Sequence, residues 1–172
     1  MEHFSNSSVG EVALLLSNKA DAYALERAKN FNVPTLVFNR DTFYNTQEVL
    51  KALQEKKIDL IVLAGFLWLV PDYLINAFPQ RIVNIHPALL PKFGGKGMYG
   101  HFVHEAVVAS GEKESGITIH FANTHYDEGD VIFQASCPVT PQDTPEQVAK
   151  NVLALEHRHF PIVIEDLLKK NS

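Results

Sequence analysis

The sequence has 172 residues, of which 46% are hydrophobic, and this predicts one domain with a single sizeable core. A formal net charge of -5 provides no broad basic face, which argues against nucleic-acid binding. No apolar run is long enough to cross a bilayer, and the first residues lack the pattern of a secretion signal. With one cysteine, Cys137, no internal disulfide can form. We therefore expect a cytoplasmic protein, monomeric or homodimeric, that binds neither nucleic acid nor membranes.

Short apolar strands alternate with helical patterns along the chain. The strands are predicted at residues 12–16, 35–38, 60–64, 81–86, 116–121 and 131–139. The helices are predicted at residues 21–30, from 46 onward, at 71–78, 102–110 and 145–168, the last one broken near Pro161. This alternation predicts an α/β fold with an open, mostly parallel sheet and helices on both faces. The last two strands, joined by a turn, are expected to pair antiparallel.

The start of the chain departs from the usual order of such a sheet. Residues 1–10 resemble the frayed end of a helix that leads into a buried strand. A doubly wound sheet usually begins with a strand and a tight turn before its first helix. We therefore expect that the first strand is missing from this sequence.

Two polar residues, Asn84 and His86, stand at the end of the strand predicted at 81–86. Residues two apart on a strand project to the same face, so the carboxamide and the imidazole are expected side by side. Open α/β sheets place their ligand crevice at this carboxyl end. An asparagine amide can donate to an oxyanion, and histidine can move a proton near neutral pH. Alternatively, both side chains cap the strand end and bind the following loop.

Asp127 lies in the polar segment between the last two strands. It is either a turn residue, as Asp-x-Gly often is, or a carboxylate that orients an imidazole and raises its pKa. The residue types leave both readings open. His120, two residues after Thr118 on a strand, is interpreted as structural.

Two other patterns carry less weight. The pairs His101/His104 and His157/His159 lack a third ligand at a spacing typical of zinc sites, so no metal is expected. Residues 95–100 match G-x-G-x-x-G, but they follow a proline-bounded loop instead of a strand. We interpret them as a flexible loop and reject a nicotinamide site.

The stretch NIHPALLP at residues 84–91 resembles the signature of the folate-dependent formyltransferases. The segments LSNKADA at 16–22, LAGF at 63–66, YDEG at 126–129 and LEH at 155–157 are similar to the glycinamide ribonucleotide branch of that family. The resemblance begins near Val9 and extends into the C-terminal region.

The resemblance implies transfer of the formyl group of 10-formyltetrahydrofolate, the co-substrate, to the amine of glycinamide ribonucleotide in de novo purine biosynthesis. It implies Asn84, His86 and Asp127 as the catalytic trio, with protonated His86, and no metal. It implies that Pro87 and Glu156 bind the nucleotide substrate. The residues implied in folate binding are Phe66, Leu67, Trp68, Leu69, Val70, Asn84, Ala122 and Tyr126.

The sequence departs from the family pattern in two places. Trp68 stands where the relatives carry a basic residue, and residues 1–10 do not match the family's glycine-rich phosphate loop. We therefore expect a chain that is truncated at its N-terminus and binds the nucleotide poorly. The alternative functions are a formyltetrahydrofolate deformylase-like hydrolase, which shares the trio but uses water as the acceptor, and an inactive folate-binding remnant.

Overall fold

The computed structural model describes residues 1–170, and these form two compact units. The first unit contains Met1–Asp59 together with the chain from Glu165 onward, and the second contains Leu60–Ile164. Among residues 1–170, no helix is both long and apolar enough to cross a membrane. The sequence-based expectation of one catalytic domain over residues 1–172 stays a prediction.

The first unit contains a two-stranded parallel sheet. Its strands β1 and β2 pair with Leu15 opposite Thr35. A short helix, which the sequence pattern did not predict, begins with a capping box in which Asn39 and Thr42 bond each other's backbone amides. The elements of this unit are a 3₁₀ turn at Glu2–Phe4, β1 (Leu15–Ser17), α1 (Tyr23–Asn30), β2 (Thr35–Val37), α2 (Arg40–Tyr44) and α3 (Glu48–Glu55).

The second unit is built on a four-stranded sheet in the order β3-β4-β5-β6. The β3–β4 pair is parallel, whereas β4–β5 and β5–β6 are antiparallel. The α/β class and the antiparallel last pair are thus confirmed. The elements are β3 (Ile61–Leu63), α4 (Asp72–Ala77), β4 (Ile82–His86), α5 (His101–Ser110), β5 (Glu114–Phe121), β6 (Val131–Pro138) and α6 (Pro145–Lys170), which ends in the first unit.

The four-stranded sheet has apolar side chains at the centre of β4 and β5. Ile82 and Val83 of β4 and Ile117 and Ile119 of β5 are at most 1% exposed. Burial of such side chains stabilises the folded chain by about 1.5–3 kcal/mol each. Ile82 and Val83 are neighbours on one strand and point to opposite faces, so the sheet is covered on both faces at this point.

The prediction of a break near Pro161 was wrong. Helix α6 is continuous from Pro145 to Lys170 and contains Pro161. A proline inside a helix removes one hydrogen-bond donor and can bend the helix, but the bonds on either side can maintain it.

Candidate active site

The antiparallel register of β4 and β5 brings four polar side chains to one face of the sheet. Asn84 lies opposite His120, and His86 lies opposite Thr118. Directly opposite residues project to the same face, as do residues two apart on one strand. The pair predicted from the sequence, Asn84 and His86, thus has two further polar neighbours on β5.

His120 holds the Asn84 amide in a defined orientation. The His120 side chain is almost fully buried, and its Nδ1 donates to the Phe121 carbonyl over 2.9 Å. In the neutral ring Nε2 is then an acceptor, and it lies 3.1 Å from Asn84 Nδ2. One amide hydrogen of Asn84 is therefore used by His120, and the other is left to donate elsewhere.

The pairing of β5 with β6 shifts beside His120. Ile119 pairs with Phe133, but His120 pairs with Val131, so β6 has one extra residue at this point. A bulge of this kind bends the strand that carries it, here β6. Gly129 packs against the bulge, since a Cβ there would overlap the Phe121 carbonyl oxygen and lie 3.6 Å from His120 Nδ1.

Gly129→Ala is expected to lower the stability by about 1–3 kcal/mol, a typical cost of overpacking. It should also lower the rate of catalysis, because the Phe121 carbonyl that fixes His120 must move. Urea unfolding and kcat would measure the two effects. Gly111→Ala is the control, since Gly111 has a positive φ of 69° but no atom near its Cβ position. Equal effects of both substitutions on kcat would contradict the role of close packing.

Asp127 lies between the two histidines, as one of its two proposed roles requires. Its Oδ2 is 3.4 Å from His86 Nδ1, and its Oδ1 is 3.6 Å from His120 Nε2. The Gly95 amide donates to Oδ2 over 2.9 Å. Burial raises the pKa of Asp127, but the neighbouring His120 ring, the charge of His86 and the Gly95 amide together lower that pKa below its ordinary value. Asp127 is therefore an anion at neutral pH.

His86 is buried, with 4% of its surface exposed, and one of its ring nitrogens makes a hydrogen bond to the backbone. Its Nε2 donates to the Phe93 carbonyl over 2.7 Å, so in the neutral ring the lone pair is on Nδ1, the nitrogen that faces Asp127. Burial lowers the pKa of His86 and outweighs Asp127 and the Phe93 carbonyl, which raise it, while His120 lowers it further. Asp127 acts on the pKa of His86 in the expected direction, and the charged form of His86 that the resemblance implies stays a prediction.

The titration of these groups makes stability depend on pH. Burial lowers the pKa of His86, and burial together with the charge of His86 lowers that of His104. At pH values between these lowered pKa values and the pKa of about 6.5 that histidine has in the unfolded chain, the unfolded chain binds more protons than the folded one. Stability should therefore fall as pH falls through this window, and further when Asp127, whose pKa is also lowered, is protonated.

Urea unfolding between about pH 5 and pH 8 would test this dependence, because that interval spans the ordinary histidine pKa. His104→Gln should reduce its slope. A free energy of unfolding that does not change over the interval would contradict the expectation.

The segment 66–70, expected to bind folate, leaves the sheet beside the site. Leu63, the last residue of β3, pairs with Asn84, so the segment begins at the same sheet edge. The rings of Phe66 and Trp68 meet edge to face with centroids 6.0 Å apart. Leu67 is half exposed, whereas Val70 is buried among the core residues. The segment therefore offers both apolar surface and a fixed anchor.

The remaining residues expected to bind ligands have different surroundings. The Ala122 amide donates to the Ile82 carbonyl over 2.8 Å, and Tyr126 is 37% exposed. Pro87 is half-buried directly after His86. Glu156 on α6 is half-buried, and burial raises the pKa of its carboxyl. Their roles toward folate and nucleotide stay predictions.

The histidine pairs considered for a metal have other environments. The rings of His101 and Phe102 pack at a tilt with centroids 3.9 Å apart, and those of His159 and Phe133 do so at 5.0 Å. His104 is buried, and in the part of the chain that the structure describes its Nδ1 has no hydrogen-bond partner. Within the described residues 1–170, no group of three or more His, Cys, Asp or Glu is placed to hold a metal ion.

The family profile described as Formyl transferase matches residues 1–164. The chain belongs to the formyl transferase family. It is 45% identical over 169 residues to the chloroplastic phosphoribosylglycinamide formyltransferase of Arabidopsis thaliana, covering 95% of this chain and 58% of that protein. It is 38% identical to phosphoribosylglycinamide formyltransferase of Haemophilus influenzae, covering 90% of this chain and 73% of that protein.

A solved formyl transferase has a similar fold. The crystal structure of phosphoribosylglycinamide formyltransferase from Anaplasma phagocytophilum superposes with a TM-score of 0.88 at 31% identity and covers 98% of this chain and 78% of that one. The chain spans little more than half the length of two plant relatives, 58% and 53%. Membership of the formyl transferase family confirms the resemblance found in the sequence.

Proposed function

We propose that this protein transfers the formyl group of 10-formyltetrahydrofolate to the primary amine of glycinamide ribonucleotide, a step of purine biosynthesis. The observation that carries the proposal is that Asn84, His86 and Asp127 lie close together at the end of β4. His120 contacts both Asn84 and Asp127. The printed names of the relatives describe the same activity. No metal is required by this chemistry.

The first step is attack of the neutral amine on the formyl carbon, which creates a tetrahedral oxyanion. Asn84 has one amide hydrogen committed to His120 and directs the other at the developing charge. A donor fixed before the reaction costs no reorganisation during it. His120 is therefore assigned a positioning role, because it sets which way the carboxamide faces.

The second step moves a proton from the attacking nitrogen to the leaving folate nitrogen. His86 is neutral at the start, and its Nδ1 carries the lone pair that can accept a proton. It accepts the proton of the attacking amine, and the Asp127 anion stabilises the resulting imidazolium. Donation of that proton to the folate nitrogen accompanies cleavage of the carbon–nitrogen bond, which leaves the formylated amine and free tetrahydrofolate.

Substrate binding is assigned to the residues around this centre. The pterin packs on residues 66–70 and contacts Ala122 and Tyr126, and Pro87 and Glu156 face the nucleotide. Apolar rings beside backbone polar groups suit a flat heterocycle with hydrogen-bonding edges. We also propose that the protein acts in the cytoplasm as a monomer or homodimer.

The proposal is tested by supplying 10-formyltetrahydrofolate and following folate absorbance with and without glycinamide ribonucleotide. Consumption that requires the nucleotide and yields its formylated product would support the proposal. Consumption that continues without the nucleotide would identify the hydrolase alternative, which uses water as acceptor. Folate binding without consumption would identify the inactive remnant. Cell fractionation and light scattering would test the location and the oligomeric state.

A further inference from the structure

A second hydrogen-bonded group lies on the same face of the sheet as His86. The register places His86 opposite Thr118 and Thr118 opposite Gln134, so the three form one row across β4, β5 and β6. The Thr118 side chain is fully buried, whereas Gln134 is exposed. The row thus extends from the imidazole to the open surface.

Thr118 and Gln134 bind the backbone that follows β4. The Thr118 hydroxyl donates to the Ala88 carbonyl over 2.7 Å and accepts from the Leu90 amide over 3.0 Å. Gln134 Nε2 donates to the same hydroxyl over 2.9 Å and to the Leu90 carbonyl over 3.0 Å. A hydroxyl offers one hydrogen and two lone pairs, and an amide nitrogen offers two hydrogens, so both groups are fully used.

The backbone held in this way leads directly to the atoms that bind His86 and Asp127. The carbonyl that accepts from His86 Nε2 belongs to Phe93, three residues after Leu90. The amide that donates to Asp127 belongs to Gly95. A shift of residues 88–90 would therefore displace both partners, because so few residues separate them.

We propose that Thr118 and Gln134 are positioning residues that set the orientation of the His86 ring by clamping residues 88–90 onto the sheet. This inference rests on the proposed function, since it concerns the histidine that carries the proton. Neither residue contacts the substrate in this mechanism. A histidine that is misdirected by about 1 Å can lose on the order of 10²-fold in rate.

A purely structural role would have a different signature, and the same strand offers a control. Ser115 is also a buried hydroxyl on β5, but its oxygen has no hydrogen-bond partner among residues 1–170. Ser115→Ala removes a buried hydroxyl without releasing residues 88–90. For the exposed position the control is Gln147→Leu, since Gln147 bonds Asn151 on helix α6.

The kinetic test compares formyl transfer in Thr118→Val, Thr118→Ser and Gln134→Leu with the two controls. We expect kcat to fall about 10- to 100-fold in Thr118→Val and less in Gln134→Leu, with KM for the folate nearly unchanged. Thr118→Ser should recover most of kcat because it restores the hydroxyl. Gln134 is exposed, so its variant should fold even if Thr118→Val does not.

A second measurement does not depend on activity. The His86 ring signal is titrated by NMR and assigned by its loss in His86→Asn. The Phe93 carbonyl raises the pKa of His86, so releasing it in Thr118→Val or Gln134→Leu should move the midpoint to lower pH. An unchanged midpoint and unchanged kcat in both variants would overturn the inference. A wild-type chain that transfers no formyl group would refute the proposed function. The titration would still test whether Thr118 and Gln134 orient the His86 ring.

Discussion

Replacing His86 with alanine is expected to lower kcat for formyl transfer by about 10²–10⁴-fold, the usual contribution of a positioned acid–base group. The loss has two parts: the base that accepts the proton of the amine disappears, and Asp127 loses the imidazole beside it. KM for the folate should change little, because the ring acts in the transition state. Steady-state kinetics above pH 7 would measure the effect, since wild-type His86 is neutral there.

His3→Ala provides the matched control for this substitution. His3 pairs with Glu165 in the first unit over 3.0 Å, so its removal deletes an imidazole without touching the candidate site. Its kcat should equal that of the wild type. Retention of more than about a tenth of wild-type kcat in His86→Ala would contradict the assigned role, because proton transfer at this step typically contributes far more.

Replacing Asn84 with leucine is expected to lower kcat by about 10²–10³-fold, the usual effect of a lost oxyanion donor. The leucine side chain is similar in size but cannot donate to the developing charge. It also leaves His120 Nε2 without the amide hydrogen that it accepts in the wild type. Asn84→Asp likewise removes the amide hydrogen, but it keeps the shape of the side chain and replaces the donor with an anion.

We expect Asn84→Asp to be at least as damaging as Asn84→Leu, because a carboxylate repels the oxyanion. Single-turnover rates at saturating substrate would isolate the chemical step from binding. Asn151→Leu on helix α6 removes an amide that bonds only Gln147 in the described structure and serves as the control. A substantially faster chemical step in Asn84→Asp than in Asn84→Leu would show that charge stabilisation is not the role of Asn84.

Much of the candidate site could be predicted from local patterns. Two polar residues at the end of an apolar strand already predict a shared face for Asn84 and His86, because strand geometry repeats every two residues. The role of Asp127 stayed open between a turn residue and a carboxylate that orients an imidazole, since Asp-x-Gly is typical of turns. The structure places it between two histidines, with a positive φ of 58° that also fits a turn residue.

Other parts of the site depend on distant pairing and leave little trace in the local sequence. His120 meets Asn84 because β5 pairs antiparallel with β4, and the alternation of strands and helices did not predict that direction. The one available signal was the polar pair Thr118 and His120, which has the same spacing as Asn84 and His86. The Phe93 carbonyl and the Gly95 amide are backbone groups, so the residue types at these positions do not indicate their roles.

The pKa of His86 depends on burial, which the local sequence does not show. The resemblance implies a carboxylate, Asp127, that raises this pKa, whereas the burial that lowers it arises only when the sheet is packed. Helix α2 was missed because five residues are too few for a helical period, although Asn39 and Thr42 form a capping box.

The trio and the groups that orient it come from one continuous stretch of chain, from Asn84 to Asp127. Closing a loop costs entropy that grows with its length, so a site drawn from neighbouring segments is inexpensive to assemble. The geometry of the site is thus contained in one strand, the loop that follows it and a hairpin, although the hydrogen bond between Asn84 and His120 joins residues 36 positions apart. Insertions before β4 or after β6 should change the stability of this chain, while leaving the arrangement of its trio intact.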